Sequence, residues 1–271
     1  MQITIRASLF AALLLGVSLN AAAQTQSASY ATASGSYAYG EQQQTYGYAG
    51  STFGSPLAFG ASGGAVGVGV FALRDGSRNG NGHFDDGSAG ITLGLGDPSR
   101  YVGLETSVGL SSLTGHNGDG FGKAGSFAFK LHTELPGSAS FALGVIDVAP
   151  WGAADGPNSA SVYVAAAKVF PLTLFGSRYA LVGNVGIGDN QFTHSTRGSS
   201  PFGSLAFFFR RQVSLIVDDS GRFLNAGVSV APFEHVPLSF TLGAFNLGRE
   251  EGLKTGIAGS VGFGYDLSRF W

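Results

Sequence analysis

The stretch Tyr101-Val-Gly-Leu-Glu-Thr-Ser-Val-Gly-Leu110, followed by Gly125-Ser-Phe-Ala-Phe-Lys-Leu-His-Thr-Glu-Leu135, decides how this chain is read. In the first segment Val102, Leu104, Thr106, Val108 and Leu110 alternate with Gly103, Glu105, Ser107 and Gly109. In the second, Phe127, Phe129, Leu131 and Leu135 share one face, while Ser126, Ala128, Lys130, His132 and Glu134 share the other. A period of two is that of a β-strand, whose successive side chains point to opposite faces. Each strand therefore has one oily face and one small, polar or charged face.

The alternation recurs toward the carboxyl terminus, and it predicts about twelve strands, with ten to fourteen as the range. They are Ala65–Arg74, Gly87–Leu95, Tyr101–Ser111, Gly125–Leu135, Ser140–Val148, Ala160–Phe170, Tyr179–Gly188, Phe202–Arg210, Gln212–Val217, Arg222–Val230, Pro237–Leu247 and Ser260–Trp271. Long polar connections (Arg74 to Asp86, Ser112 to Lys123, Pro150 to Asn158, Asp189 to Pro201) alternate with tight ones at Asp97–Arg100, Pro136–Ser138 and Arg211. Only 12% of the residues are charged and 44 are glycine. A soluble protein of this size carries about twice that charged fraction, so something other than water is expected to face much of the surface. The reading is all-β: a closed antiparallel transmembrane β-barrel, oily outside and polar inside. A soluble β-sandwich is the alternative fold.

An unpaired lysine facing lipid at mid-bilayer costs about 2–4 kcal/mol. Lys130 must therefore look inward, and with it His132, Glu134 and, on the preceding strand, Glu105. Asn184, Asn225 and Ser229 join this predicted lining, and Glu105, Lys130 and Glu134 form a lumenal charge cluster that neutralises itself. Tyr101, Tyr179, Phe202, Phe233 and Trp271 sit at strand ends, where aromatic rings suit a membrane interface. Phe208, the middle ring of Phe207-Phe208-Phe209, points inward, as does Phe245. Such rings argue for a narrow or filled lumen.

The amino terminus has the three parts of a cleaved export signal over residues 1–23. These are Arg6, an apolar run from Ala7 to Leu19, and Ala21-Ala22-Ala23 before Gln24. Residues 24–64 form a low-complexity leader rich in tyrosine, glycine, serine and glutamine, with too little aliphatic surface for a core. A flexible periplasmic leader is expected there, with a plug inside the barrel or an added strand as the alternatives. Residues 65–271 are the barrel. The absence of cysteine excludes thiolate metal sites and disulfides. A formal charge of −2 without a basic stripe argues against nucleic acid.

The last segment sets Val261, Phe263, Tyr265, Leu267, Arg269 and Trp271 in alternation and ends on an aromatic residue. With the loop alternation, this resembles the bacterial outer-membrane β-barrel superfamily over Ala65 to Trp271. The resemblance implies a Gram-negative outer-membrane location, with outer-membrane lipid and the barrel-assembly machinery as partners. Phe263, Tyr265, Leu267 and Trp271 would be the assembly signal, and Arg269 departs from the usual pattern. Asp218-Asp-Ser-Gly-Arg-Phe-Leu-Asn-Ala-Gly227 also resembles barrels associated with exopolysaccharide export.

Enzyme chemistry has one candidate region, where Ser107 or Ser126 and Glu134 approach His132 on the inner face, but no motif marks a nucleophile. In Asp75 to Asp86 the oxygen ligands are spaced two apart, but no closing glutamate completes a calcium loop, so a solvated loop is expected. No catalytic residue, cofactor or metal is assigned. The expected function is a non-enzymatic barrel, structural or a porin-like narrow pore for a small solute or polysaccharide, in envelope or surface-polysaccharide processes. A lipid-modifying barrel enzyme and a surface-recognition or adhesion barrel are the alternatives.

Overall fold

A computed structural model describes residues 48–76, 83–111, 113, 121–152, 160–194, 198–250 and 254–267; the side chains of 75, 76 and 83–85 are not described. The signal segment, most of the 24–64 leader and the core of the Asp75–Asp86 loop lie outside the described residues. Twelve antiparallel strands close into one barrel, each paired with its sequence neighbours, and the first with the last. They are β1 (Ala65–Gly76), β2 (His83–Gly96), β3 (Gly103–Leu110), β4 (Gly125–Leu135), β5 (Ala139–Trp151), β6 (Ser161–Leu174), β7 (Ser177–Asp189), β8 (Ser199–Arg210), β9 (Val213–Asp219), β10 (Leu224–Val230), β11 (Leu238–Phe245) and β12 (Lys254–Asp266). All twelve predicted strands are present.

The two ends of the barrel differ. At one, tight links join β2 to β3, β4 to β5, β6 to β7 and β8 to β9; this is the turn end, where β1 starts and β12 stops. In the β6–β7 link both Phe175 and Gly176 have positive φ, 52° and 76°, as the mirror-image hairpin turns require. The opposite, loop end carries the longer connections. Lining and exterior follow the two-residue period. Every strand exposes apolar side chains outward, among them Val68, Ile91, Val108, Phe129, Leu143, Val162, Val185, Leu205, Leu215, Val228, Leu242 and Phe263. Buried inward are Ser88, Thr92, Glu105, Lys130, Ser140, Asn184, Ser214, Asp218, Asn225, Ser229 and Thr241.

Three expectations need correction. The last strand does not run to Trp271: β12 occupies Lys254–Asp266. It ends because Asp266 pairs with Ala65, the first residue of β1, and Leu267 N–H then donates to Gly64 O at 2.7 Å. Phe263 and Tyr265 stand in the strand, Leu267 just beyond it, and Trp271 lies outside the described residues. Phe202 is no interface aromatic. It is inward and 4% exposed, stacked on Phe192 with ring centroids 4.8 Å apart. Tyr101 and Phe233 are exposed outside, and Tyr179 stacks on Phe207.

The third correction concerns the leader. Residues 48–62 are not the flexible leader but match the alternative, a plug: from Ala49 to Ala61 nearly every residue is buried inside the barrel. Ala49 N–H donates to Arg211 O in the β8–β9 link, so the segment enters at the turn end. It rises to Asp218, beside the loop end of β9, and reverses around Gly54-Ser55-Pro56. It then descends to the turn end, where Gly63 and Gly64 N–H donate to Gly96 O and Gly94 O, and enters β1. This re-entrant hairpin is called the strap below. Gly94 is required where it descends, because a methyl group there would overlap the Ala61–Ser62 backbone.

Above the strap, near the loop end, inward rings close together. Tyr163 meets Phe192 at 5.8 Å and Phe202 at 6.0 Å, and Phe223 meets Phe245 at 4.9 Å. The Tyr163 ring lies directly over Gly144 on the neighbouring strand, the space a side chain would fill. Gly144→Val is expected to cost about 1–3 kcal/mol through overpacking, read as a lower urea midpoint of the folded protein. The outward Leu143→Ile should stay within about 0.5 kcal/mol.

Candidate functional site: the occupied lumen

The strap lies in the lumen with its main chain exposed to the barrel wall, so its N–H and C=O groups need partners there. Polar side chains from many strands supply them. Ser229 Oγ accepts from Gly50 N–H at 2.7 Å, and Ser214 Oγ donates to Gly50 O at 2.6 Å. Ser229 is itself held by the Thr241 hydroxyl at 2.9 Å. Asn184 uses both ends of its amide: Nδ2 donates to Pro56 O at 2.9 Å and Oδ1 accepts from Ala58 N–H at 3.2 Å. Ser140 Oγ stands 3.0 Å from Ala58 O.

At the apex the carboxylate of Asp218 is fully enclosed. It accepts from Phe53 N–H and Ser55 N–H, both at 3.1 Å, and from the Ser55 hydroxyl at 2.6 Å. Successive backbone N–H groups wrapped around a carboxylate make an anion-binding turn, here with both parts in one chain. The sequence presents only Asp218-Asp219 at a strand end, which reads as an ordinary polar loop. Phe53 beside the apex meets Phe71 of β1 edge-on at 6.5 Å.

On the descending limb, Lys130 and Glu105 face each other on adjacent strands in register, with Nζ 3.0 Å from Oε1. Lys130 also donates to Phe59 O at 3.0 Å and Leu57 O at 3.3 Å, and Glu105 Oε2 accepts from Ala61 N–H at 2.9 Å. The pair is thus completed by the strap, which satisfies the remaining hydrogen-bonding capacity that makes a buried pair tolerable. Glu134 lies nearer the turn end and is only half-buried, so the predicted three-member cluster has its closed ion pair between two of its members.

His132 Nε2 lies 3.0 Å from Ala61 O; a carbonyl only accepts, so Nε2 carries the proton. The serines weighed as its nucleophilic partners are engaged elsewhere. Ser107 shares a hydrogen bond with Thr92 at 2.9 Å, and Ser126 donates to Asp147 at 2.7 Å. The arrangement anchors a peptide and does not activate a hydroxyl. Asn225 has a different task from Asn184: it accepts from Asn246 N–H at 3.0 Å and donates to Phe223 O at 3.1 Å, bracing the loop end. No group of three or more potential metal ligands occurs among the described residues. No protein-family model matches the chain, and no curated protein matches its sequence.

Lys130→Met leaves Glu105 buried without its cation and is expected to destabilise the fold by about 3–5 kcal/mol. Adding Glu105→Gln should recover most of that loss. Denaturant midpoints of the single and double variants check both expectations.

Proposed function

We propose that this protein is a non-enzymatic integral barrel of the bacterial outer membrane, working as a narrow pore that its own strap, residues 48–62, keeps shut at rest. The membrane assignment is supported by the outward apolar side chains on all twelve strands. That exterior is far larger than the apolar patches of monomers in water. Export behind a cleaved signal, insertion by the barrel-assembly machinery and a setting in envelope or surface-polysaccharide processes belong to the same proposal, with a small solute or polysaccharide as cargo.

One observation carries the pore reading over a permanently closed scaffold. The strap is gripped mainly through its main chain by hydroxyl, amide, carboxylate and ammonium groups of the wall. Those groups are equally well served by water. A small barrel filled for good is packed by its own side chains; here a separate segment fills a wall already suited to water. Withdrawal of the strap exchanges hydrogen bonds and exposes Phe53, Leu57 and Phe59, a limited apolar cost.

Membrane residence is checked by fractionation: the protein should stay with washed outer membranes in salt and leave only with detergent. Gating is checked with Ser55→Cys/Asp218→Cys, in a chain that has no cysteine of its own. Bilayer recordings should show a silent channel when the pair is oxidised. Reduction should open it more often than wild type, because the apex has lost its anchor. Silence in both redox states would leave a scaffold and end the pore reading.

A further inference from the structure

We infer that the unplugged lumen selects for cations, and that Asp218 is the charge the strap covers at rest. The inference rests on the pore reading and adds the class of ion that the pore admits.

Lys130 and Glu105 face each other on adjacent wall strands and pair at 3.0 Å, so their charges offset each other. Asp218 differs. Every hydrogen bond described for its carboxylate comes from the strap, through Phe53 and Ser55, and no cation pairs with it among the described residues. Withdrawal of the strap therefore removes all of these donors at once and leaves a bare carboxylate on the pore wall. The hydroxyl of Ser204, paired with Asp218 across the β8–β9 ladder, is a neutral donor beside it, and neutralising the charge falls to a mobile cation.

A second carboxylate points the same way. Asp147, on the loop-end half of β5, has a backbone φ of 56° where the β4–β5 register shifts, and this turns it inward beside Ser126. It is 6% exposed. Its Oδ1 accepts from Ser126, the Gln191 side chain interacts with the same carboxyl group, and Oδ2 lacks a hydrogen bond within ordinary geometry. A buried carboxylate oxygen with unused accepting capacity is a group that water or a cation would satisfy once the lumen is open. Asp147, like Asp218, has no cationic partner among the described residues. The strap therefore does two things: it blocks the lumen, and its N–H groups occupy the position a permeant cation would take.

The test uses full-length protein carrying Asn184→Ala, which removes the strap's anchor at Pro56 and Ala58 and leaves every carboxylate in place. Ser229→Ala serves as an independent opener should the first variant fold poorly. In a KCl gradient across a planar bilayer, openings of either variant should reverse toward the potassium equilibrium potential, with a potassium-to-chloride permeability ratio on the order of 10. Adding Asp218→Asn should lower that ratio several-fold, and adding Asp147→Asn should lower it further. Openings with a ratio near unity, a preference for chloride, or a ratio unmoved by Asp218→Asn would overturn the cation assignment while leaving a pore. No openings from either opener would overturn the pore and the selectivity together.

Discussion

A polypeptide can lie inside a barrel only if the wall answers its N–H and C=O groups, and that requirement organises the interior of this protein. An unmatched buried backbone group costs about 1–3 kcal/mol, so a strap of some fifteen residues without partners would not stay in place. The wall meets the demand at intervals along the strap: Ser214 and Ser229 at its entry, Asp218 at the reversal, Asn184 just after it, and Lys130, Glu105 and His132 on the way out. The Lys130–Glu105 pair depends on the strap in return. With the strap seated, wall and strap satisfy each other's polar groups.

The same requirement explains the composition. A wall that must approach a peptide backbone closely has no space for large side chains, and the strap has little for its own. Small residues accordingly appear on both sides of the contact, as in Gly94 against Ala61 and Ser62. Apolar bulk is directed outward, where twelve strands carry it, or to the inward rings near the loop end. The glycine content and the low charge are thus two consequences of one architecture. The interior holds a guest segment, and the exterior is apolar.

The barrel was legible in the sequence because a two-residue period repeats independently on each strand, so one misread strand does not disturb the next. Parity, with the cost of a lipid-facing lysine to fix which face is inward, grouped Glu105, Lys130, His132, Glu134, Asn184 and Asn225; all are buried except Glu134, which is half-buried. Strand ends were less legible where a residue type misleads: Pro171 suggests a stop after Phe170, yet β6 continues through it to Leu174 and pairs it with Ala180 of β7. Phe202 reads as an interface ring from its place at a strand end, but its parity sets it inside. The strap was the least legible element. Ser51-Thr-Phe-Gly-Ser-Pro56 has no periodicity, and its partners stand 128 to 165 positions away, at Asn184 and Asp218. Sequence-local reasoning sees a weakly apolar tract, favours a flexible leader over the plug it offers as an alternative, and names no partner for it. Parity points Asn184 inward as well, and says nothing of what meets it there.

The way the strap is held bears on how it would leave. Both of its limbs reach the turn end, so tension on the chain preceding residue 48 acts first on the contacts nearest that end, Ala49 with Arg211 and Gly50 with Ser214 and Ser229. These yield before the apex at Asp218 and the descending limb feel the load. A segment loaded this way peels one contact at a time; a segment pulled through from the loop end would have to break its contacts together. Each peeled contact is a polar exchange with water worth about 1 kcal/mol net, and those to charged groups about 1.5–3 kcal/mol. The strongest contacts, to Asp218, Lys130 and Glu105, thus come late in the sequence. A partially withdrawn strap would still fill the lumen at the level of Lys130, so the barrel stays closed until the descending limb has followed the apex.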